Sequence, residues 1–322
     1  MARTPIPDAT LKGYFAEGQR QNRCLYSQDF TNAAWVSGGG GIAVTPNTAV
    51  APDGTTTADT LTASGANGTL IQDLGVVASA AKAGGMWLKR KTGTGNIDLT
   101  LDGGSTWTTV AVTSSWLLLE KTQTLADEDF GIRIVTSGDE VYAWQAQVET
   151  WTFISSPIPT TTAAVTRNGD VLEYATSNLD ALSDYSMYCE VHAPTPAAKL
   201  LGSNYYMICK DNYQPMWCID GGGGSNNSRF YSNNGSNSSD VTFTDAARLN
   251  KAKFGCSKTS TRLQSVLNGA AGTPAALGTQ VGSSSTVGIG INQSGATLEG
   301  CIRNVRFWTK ALTDAQLMSM TA

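Results

Sequence analysis

Short runs of alternating apolar and polar residues recur down this chain, and turn-forming residues break them every few positions. Examples are Thr69-Leu-Ile-Gln-Asp-Leu, Gly85-Met-Trp-Leu-Lys, Ile97-Asp-Leu-Thr-Leu, Trp116-Leu-Leu-Leu-Glu, Phe130-Gly-Ile-Arg-Ile-Val and Val141-Tyr-Ala-Trp-Gln-Ala-Gln-Val-Glu. Gly93-Thr-Gly-Asn, Asp102-Gly-Gly and Ser137-Gly-Asp separate them. A period of two places successive side chains on opposite faces of a strand. Strands at roughly 8–12-residue spacing imply a sandwich or barrel. The 34 glycines, with abundant Thr, Ser and Asn, suit turns and β-edges and disfavour helices. The expected fold class is all-β: two consecutive antiparallel β-sandwich (jelly-roll) domains, a short N-terminal arm and a short C-terminal helix.

The helix is expected at the end. Cys301 to Trp308 mix apolar and basic residues as a half-buried strand does, and Thr313 stands three residues before Gln316. Thr-x-x-Gln is a capping box, in which the Thr hydroxyl accepts from the Gln backbone and the Gln side chain reaches back. One or two helical turns then hold Leu317 against the sheet. Asn268-Gly269, after an alternating strand, predicts a type I′ hairpin turn.

At 322 residues the chain has room for about two domains of roughly 150 residues, each able to bury a core unaided. Residues 1–23 form a polar leader with two readings: a frayed terminus, which the segment on its own favours, and an arm that docks on a partner. The first sandwich is expected over 24–167 and the second over 168–322, with the Pro/Thr-rich stretch from Ser155 to Arg167 as connector. With 15% charged residues and a net charge of −4, the chain offers no electrostatic handle to nucleic acid or an anionic membrane. The Lys89-Arg90-Lys91 and Asp127-Glu128-Asp129 runs read as solvated strand ends. No apolar run reaches the ~20 residues of a membrane span, and Met1-Ala-Arg-Thr-Pro-Ile-Pro lacks a signal core. Reduced cysteines and a cytosolic site of synthesis are therefore expected.

Catalytic signals are weak. Adjacent acids such as Asp139 and Glu140 point to opposite faces, and a serine triad would have to use His192, the one histidine. Sugar binding is better supported, because saccharide rings stack on exposed aromatics while amides hold their hydroxyls. The densest such group is Tyr205, Tyr206, Asn212, Tyr213 and Trp217; its bland reading is packing. Asp98, Asp102 and Trp107 make a weaker second group, and Trp35 and Trp144 are expected in the core.

Three blocks stand in order over the first half: Asn22-Arg-Cys-Leu-Tyr-Ser-Gln-Asp-Phe-Thr-Asn-Ala-Ala-Trp, Ala51-Pro-Asp-Gly-Thr-Thr-Thr-Ala-Asp-Thr-Leu, and Trp144-Gln-Ala-Gln-Val-Glu with Ile158-Pro-Thr-Thr-Thr-Ala-Ala-Val-Thr-Arg. On these blocks the first half resembles the carbohydrate-binding-module-like jelly rolls of bacteriophage tail and other virion proteins, although Ile154-Ser-Ser-Pro-Ile-Pro carries an extra proline. On Asn268-Gly269 and the closing segment, the second half resembles a laminin G-like or concanavalin A-like domain. The resemblance implies a non-enzymatic structural protein of the virion surface, assembled in the host cytoplasm: a tail-fibre, receptor-binding or capsid-decorating subunit. Its implied partners are other virion proteins of the capsid or tail, further copies of itself (a trimer in many such proteins) and host-surface polysaccharide. The alternative is a glycoside-acting enzyme of concanavalin A-like fold. No cofactor is required; structural calcium is compatible with both families, with Asp29, Asp53 and Asp59 as candidate ligands, whose other reading is turn stabilisation.

Overall fold

A computed structural model describes residues 2–3, 13–175, 184–192, 204–210, 214–220, 227–232, 237–242, 252–276, 286–290 and 300–322. Two compact units emerge, residues 1–10 with 20–167 and residues 11–19 with 168–322. The strands in chain order are β1 (Ala2–Arg3), β2 (Tyr14–Ala16), β3 (Arg20–Asn22), β4 (Val36–Gly39), β5 (Ile42–Ala49) and β6 (Ala58–Ala63). Next come β7 (Gly68–Thr92), β8 (Ile97–Thr100), β9 (Thr108–Val110), β10 (Leu117–Ile134), β11 (Glu140–Glu149) and β12 (Val165–Arg167).

All but β2, β3 and β12 of these form one nine-stranded sheet that doubles over on itself. Two long strands make the fold. The first part of β7 pairs with β4, its later part with β11. β10 follows β7 along both parts, with register shifts between Leu125 and Asp129, and its last residues also pair with β8. Each long strand therefore serves two layers: β5-β6-β11-β7-β10 on one side, β4-β7-β10-β8-β9 on the other. The register shifts supply the bend that a doubled sheet requires. Between the layers lie Phe30, Leu61, Met86, Leu88, Ile97, Leu99, Leu101, Phe130, Ile132 and Ile134, all buried. Trp35 and Trp144 are buried as well.

The patterned blocks converge in this unit. Asn22 donates to the carbonyls of Ala146 and Ile158 and accepts from Cys24 and Val148 N–H. Asp59 accepts from the Phe30 and Asn47 backbones. Thr160 donates to the Cys24 carbonyl. Their pattern is thus a set of buried side chains that satisfy loop backbone away from water. The acidic run departs from expectation: Asp127 is exposed, but Glu128 is fully buried against Lys82 at 2.6 Å and Arg23 at 2.5 Å. Alternation turns the middle residue inward, where two cations meet it.

The second unit adds β13 (Glu173–Ala175), β14 (Tyr185–His192), β15 (Asn204–Lys210), β16 (Gln214–Asp220), β17 (Asn227–Ser232) and β18 (Asn237–Thr242). It ends with β19 (Ala252–Lys258), β20 (Arg262–Leu267), β21 (Ala270–Ala271), β22 (Ala275–Ala276), β23 (Thr286–Ile289), β24 (Gly300–Trp308) and α1 (Asp314–Thr321). One sheet has the order β13-β23-β15-β16-β17-β18, the other β2-β24-β14-β19-β20-β21, with β22 also on β20. Part of the leader is therefore a strand of this sheet: Tyr14, Phe15 and Ala16 pair with Ile302, Cys301 and Gly300. Met187, Cys189, Phe254 and Cys256 meet Ile208 of the facing sheet around a cavity of about 10 Å³. That is room for one water at most.

Asn268 and Gly269 both have positive φ (46° and 79°) between the paired residues Leu267 and Ala270, the geometry of a type I′ turn. The capping box is present. Thr313 Oγ1 accepts from Gln316 N–H at 3.3 Å, and Gln316 Oε1 accepts from Thr313 N–H at 2.9 Å. Leu317, fully buried, packs with Val266 and Leu312 on the outer side of the sheet. Gly255 lies beneath it, where an added Cβ would come within 3.3 Å of Leu317. Thr313→Ala should lower stability by about 1 kcal/mol in thermal melts, because it removes a cap and leaves the buried Leu317 in place. Cys24, Cys189, Cys256 and Cys301 are free and buried. Burial pushes the first two thiols and Cys256 far above the ordinary range, so they are poor nucleophiles.

Candidate glycan-binding face

Of the aromatic group read from the sequence, Tyr205 and Tyr206 lie on β15 and Trp217 on β16. Their strand partners are Ile219, Cys218 and Ile208 respectively. The side chains of these three, and Asn212 and Tyr213 altogether, fall outside the described residues.

The carboxylates of Asp29, Asp53 and Asp59 do not gather within 4.8 Å of one another, although Asp29 stands near enough to Asp59 to add to the rise in its pKa. Asp29 Oδ1 accepts from the Thr31 backbone and hydroxyl, and Asp53 Oδ1 does the same with Thr55. Asp59 is taken up by two backbone N–H groups. Burial raises its pKa against the pull of those hydrogen bonds. Among the described residues, the one group of three acids within 4.8 Å is Asp73, Asp127 and Asp129. Burial, and then repulsion from Asp73 and Asp127, raises the Asp129 pKa. Exposed acidic trios of this kind are common without an ion.

The Asp98–Asp102–Trp107 group is internally committed. Arg133 pairs with Asp98 at 2.6 Å and lies 4.5 Å from the Trp107 ring centroid. Gly104 sits against the same ring, where a Cβ would be 2.9 Å from a ring carbon. Asp102 accepts from Thr100, Thr106 and Gln123; these bonds outweigh burial and hold its carboxyl well below the usual range. Both carboxylates are thus engaged within the group, and Arg133 lies against the half-buried Trp107 ring.

A different face has the required form. The outward side chains of the β5-β6-β11-β7-β10 layer include Trp87 and Trp144, which are register partners, and Leu118, beside Trp87. With Ala51 and Ala58 they form a second buried apolar cluster, separate from the core between the layers. The 50–57 loop closes over it, and Trp144 Nε1 donates to Thr57 Oγ1 at 3.1 Å. At its margin Trp116 and Tyr142 remain half-buried, with centroids 6.4 Å apart and planes inclined by 44°. Trp116 Nε1 donates to the Val50 carbonyl at 3.0 Å, which fixes the indole. Val50 itself is 58% exposed.

Polar groups ring the pair. Tyr142 lies opposite Lys89 in register, and the Lys89 and Lys91 ammonium groups stand 5.9 and 5.7 Å from its ring centroid. Lys91 pairs with Glu140 at 3.3 Å. Hydrogen bonds from Thr62, then Thr92 and Lys91, lower the Glu140 pKa against the effect of burial. The face can therefore offer an indole held in place, a tyrosine ring beside it, and a rim of ammonium, carboxylate and hydroxyl groups. Trp116 and Tyr142 are visible in the sequence only as members of two separate strands; what joins them is cross-strand register, which no local pattern carries.

No family model and no curated protein matches this chain. Among solved structures, it is similar to domain 4 of AbnA, an extracellular arabinanase from Geobacillus stearothermophilus, in complex with arabinotriose. That match has 14% identity and a TM-score of 0.38, and covers 50% of this chain and 78% of the other. The mouse laminin alpha1 chain, domains LG4-5, matches at 10% identity and a TM-score of 0.31, covering 96% of each chain. At these scores neither likeness bears on function. The β-sandwich architecture rests on the strand pairing itself.

Proposed function

We propose that this chain is a non-enzymatic surface subunit of a bacteriophage particle that adheres to host-surface glycans, and that the Trp116–Tyr142 face is where sugar binds. Its setting would be a tail fibre, receptor-binding structure or capsid decoration, assembled with other virion proteins and with further copies of itself. The patterned blocks of the first half support the particle setting by resemblance. The observation that carries glycan binding is the half-exposed aromatic pair, whose indole is already hydrogen-bonded in place. A preorganised ring loses little entropy when a saccharide stacks on it.

Trp116→Ala should weaken binding to bacterial surface polysaccharides on a glycan array by about tenfold, the equivalent of ~1.4 kcal/mol of lost stacking. Tyr206→Ala and Trp217→Ala form the parallel test in the second unit. Unchanged binding in Trp116→Ala would remove this face from the reading. Failure to detect the chain by mass spectrometry in purified virions that encode it would remove the particle setting.

A further inference from the structure

We propose that the Trp116–Tyr142 face prefers acidic saccharides, chains that carry uronic acid carboxylates; this rests on the glycan reading above and names the sugar class. The inference comes from how alternation distributes the Lys89-Arg90-Lys91 run. Both lysines reach the Tyr142 ring on the aromatic face. Arg90 is committed elsewhere, to Asp139 at 3.4 Å and the Gly95 carbonyl at 2.8 Å. The run therefore places two like charges beside the stacking pair and spends its third charge on a loop.

The two lysines differ in their engagement. Lys91 is paired with Glu140, and Thr62 and Thr92 donate to the same carboxylate. Lys89 has no ion pair among the described residues, and its contact with Tyr142 lies at the outer limit of cation–π range. It is the uncommitted cation of the face. The Glu140 carboxylate repels a second anion from its own side, which leaves Lys89 as the position for a ligand carboxylate. A sugar stacked on the rings presents its substituents at the ring edge, within reach of a lysine stem that lies along the same face. The chain as a whole carries −4, so this preference is local to the face and opposed at long range. Salt screens both effects within about 8–10 Å at 0.10–0.15 M.

The experiment uses the full chain and a panel of uronate-containing bacterial polysaccharides, each paired with its carboxyl-reduced, neutral form. At 50 mM salt, wild type should bind the native forms about fivefold more tightly than the reduced forms, as expected for one or two partly exposed charge pairs. Lys89→Gln should lower affinity for the native forms toward that for the reduced forms and so erase most of that ratio, while Lys89→Arg should retain it. Equal affinity for native and reduced forms, or a preference that survives Lys89→Gln, would overturn the acidic preference and leave glycan binding standing. Absence of binding to any member of the panel would overturn both.

Discussion

Replacing Glu128 with glutamine should destabilise the first sandwich by about 3–5 kcal/mol, the cost of breaking a buried ion pair from one side. Glu128 is fully buried, with Lys82 at 2.6 Å and Arg23 at 2.5 Å. Lys82 is itself 2% exposed and has one further partner, the Thr150 hydroxyl at 2.8 Å. A neutral amide in place of the carboxylate would leave that ammonium desolvated and without a counter-charge. Arg23 would suffer less, because it is more exposed and also donates to the Leu74 carbonyl at 2.8 Å. The double variant Lys82→Met/Glu128→Leu removes the charge together with its more deeply buried partner, leaves only the more exposed Arg23 unpaired, and should recover part of the loss. Hydrogen exchange of peptides from β7 and β10 reads the effect within this unit, which suits a chain of two units that need not unfold as one. A loss below about 1 kcal/mol in the single variant would mean that water reaches Lys82, and the buried-pair account would fail.

That result would turn on a residue whose environment is hidden from local pattern. Asp127-Glu128-Asp129 reads as a solvated run, because the cations that meet Glu128 stand at positions 23 and 82, far away in the chain. The same limit explains the two long strands. Thr69–Leu74 and Gly85–Lys89 read as separate runs, as do Trp116–Glu120 and Phe130–Val135, yet each pair forms the two ends of one strand. The middle of β7 holds exposed Val76, Ala78 and Ser79, so it carries no apolar alternation to link the ends. Signals that act over a few residues are legible: the Thr313–Gln316 box, the Asn268-Gly269 turn, and the alternation that buries Leu99 and Leu101. The candidate face is legible only in part: Trp144 reads as a buried position, but its place in the outer cluster rather than between the layers, like the pairing of Trp116 with Tyr142, comes from register.

The second large effect is expected at Phe130, in the strand segment that joins the two layers. The residue is fully buried, and its ring lies against Gly84 in the part of β7 that belongs to the facing layer, where an added Cβ would come within 2.8 Å of a ring carbon and 2.5 Å of Leu101 Cδ2. Glycine is thus what admits the phenyl ring at this crossing. Phe130→Ala should cost about 3–5 kcal/mol, the transfer term plus that of a cavity which paired strands on both sides prevent from collapsing. Against a total stability of roughly 5–15 kcal/mol, that approaches loss of the unit. Gly84→Ala alone should also destabilise, by about 1–3 kcal/mol of overpacking. In the Phe130→Ala background the clash with the ring is gone and Leu101 Cδ2, the nearer atom at 2.5 Å, has room to move aside, so the cost of the same methyl should fall. Urea titrations of the four proteins, followed by exchange protection in β10, test the cycle. Additive losses would show that Gly84 and Phe130 do not share one space, and the packing account of the layer crossing would fall.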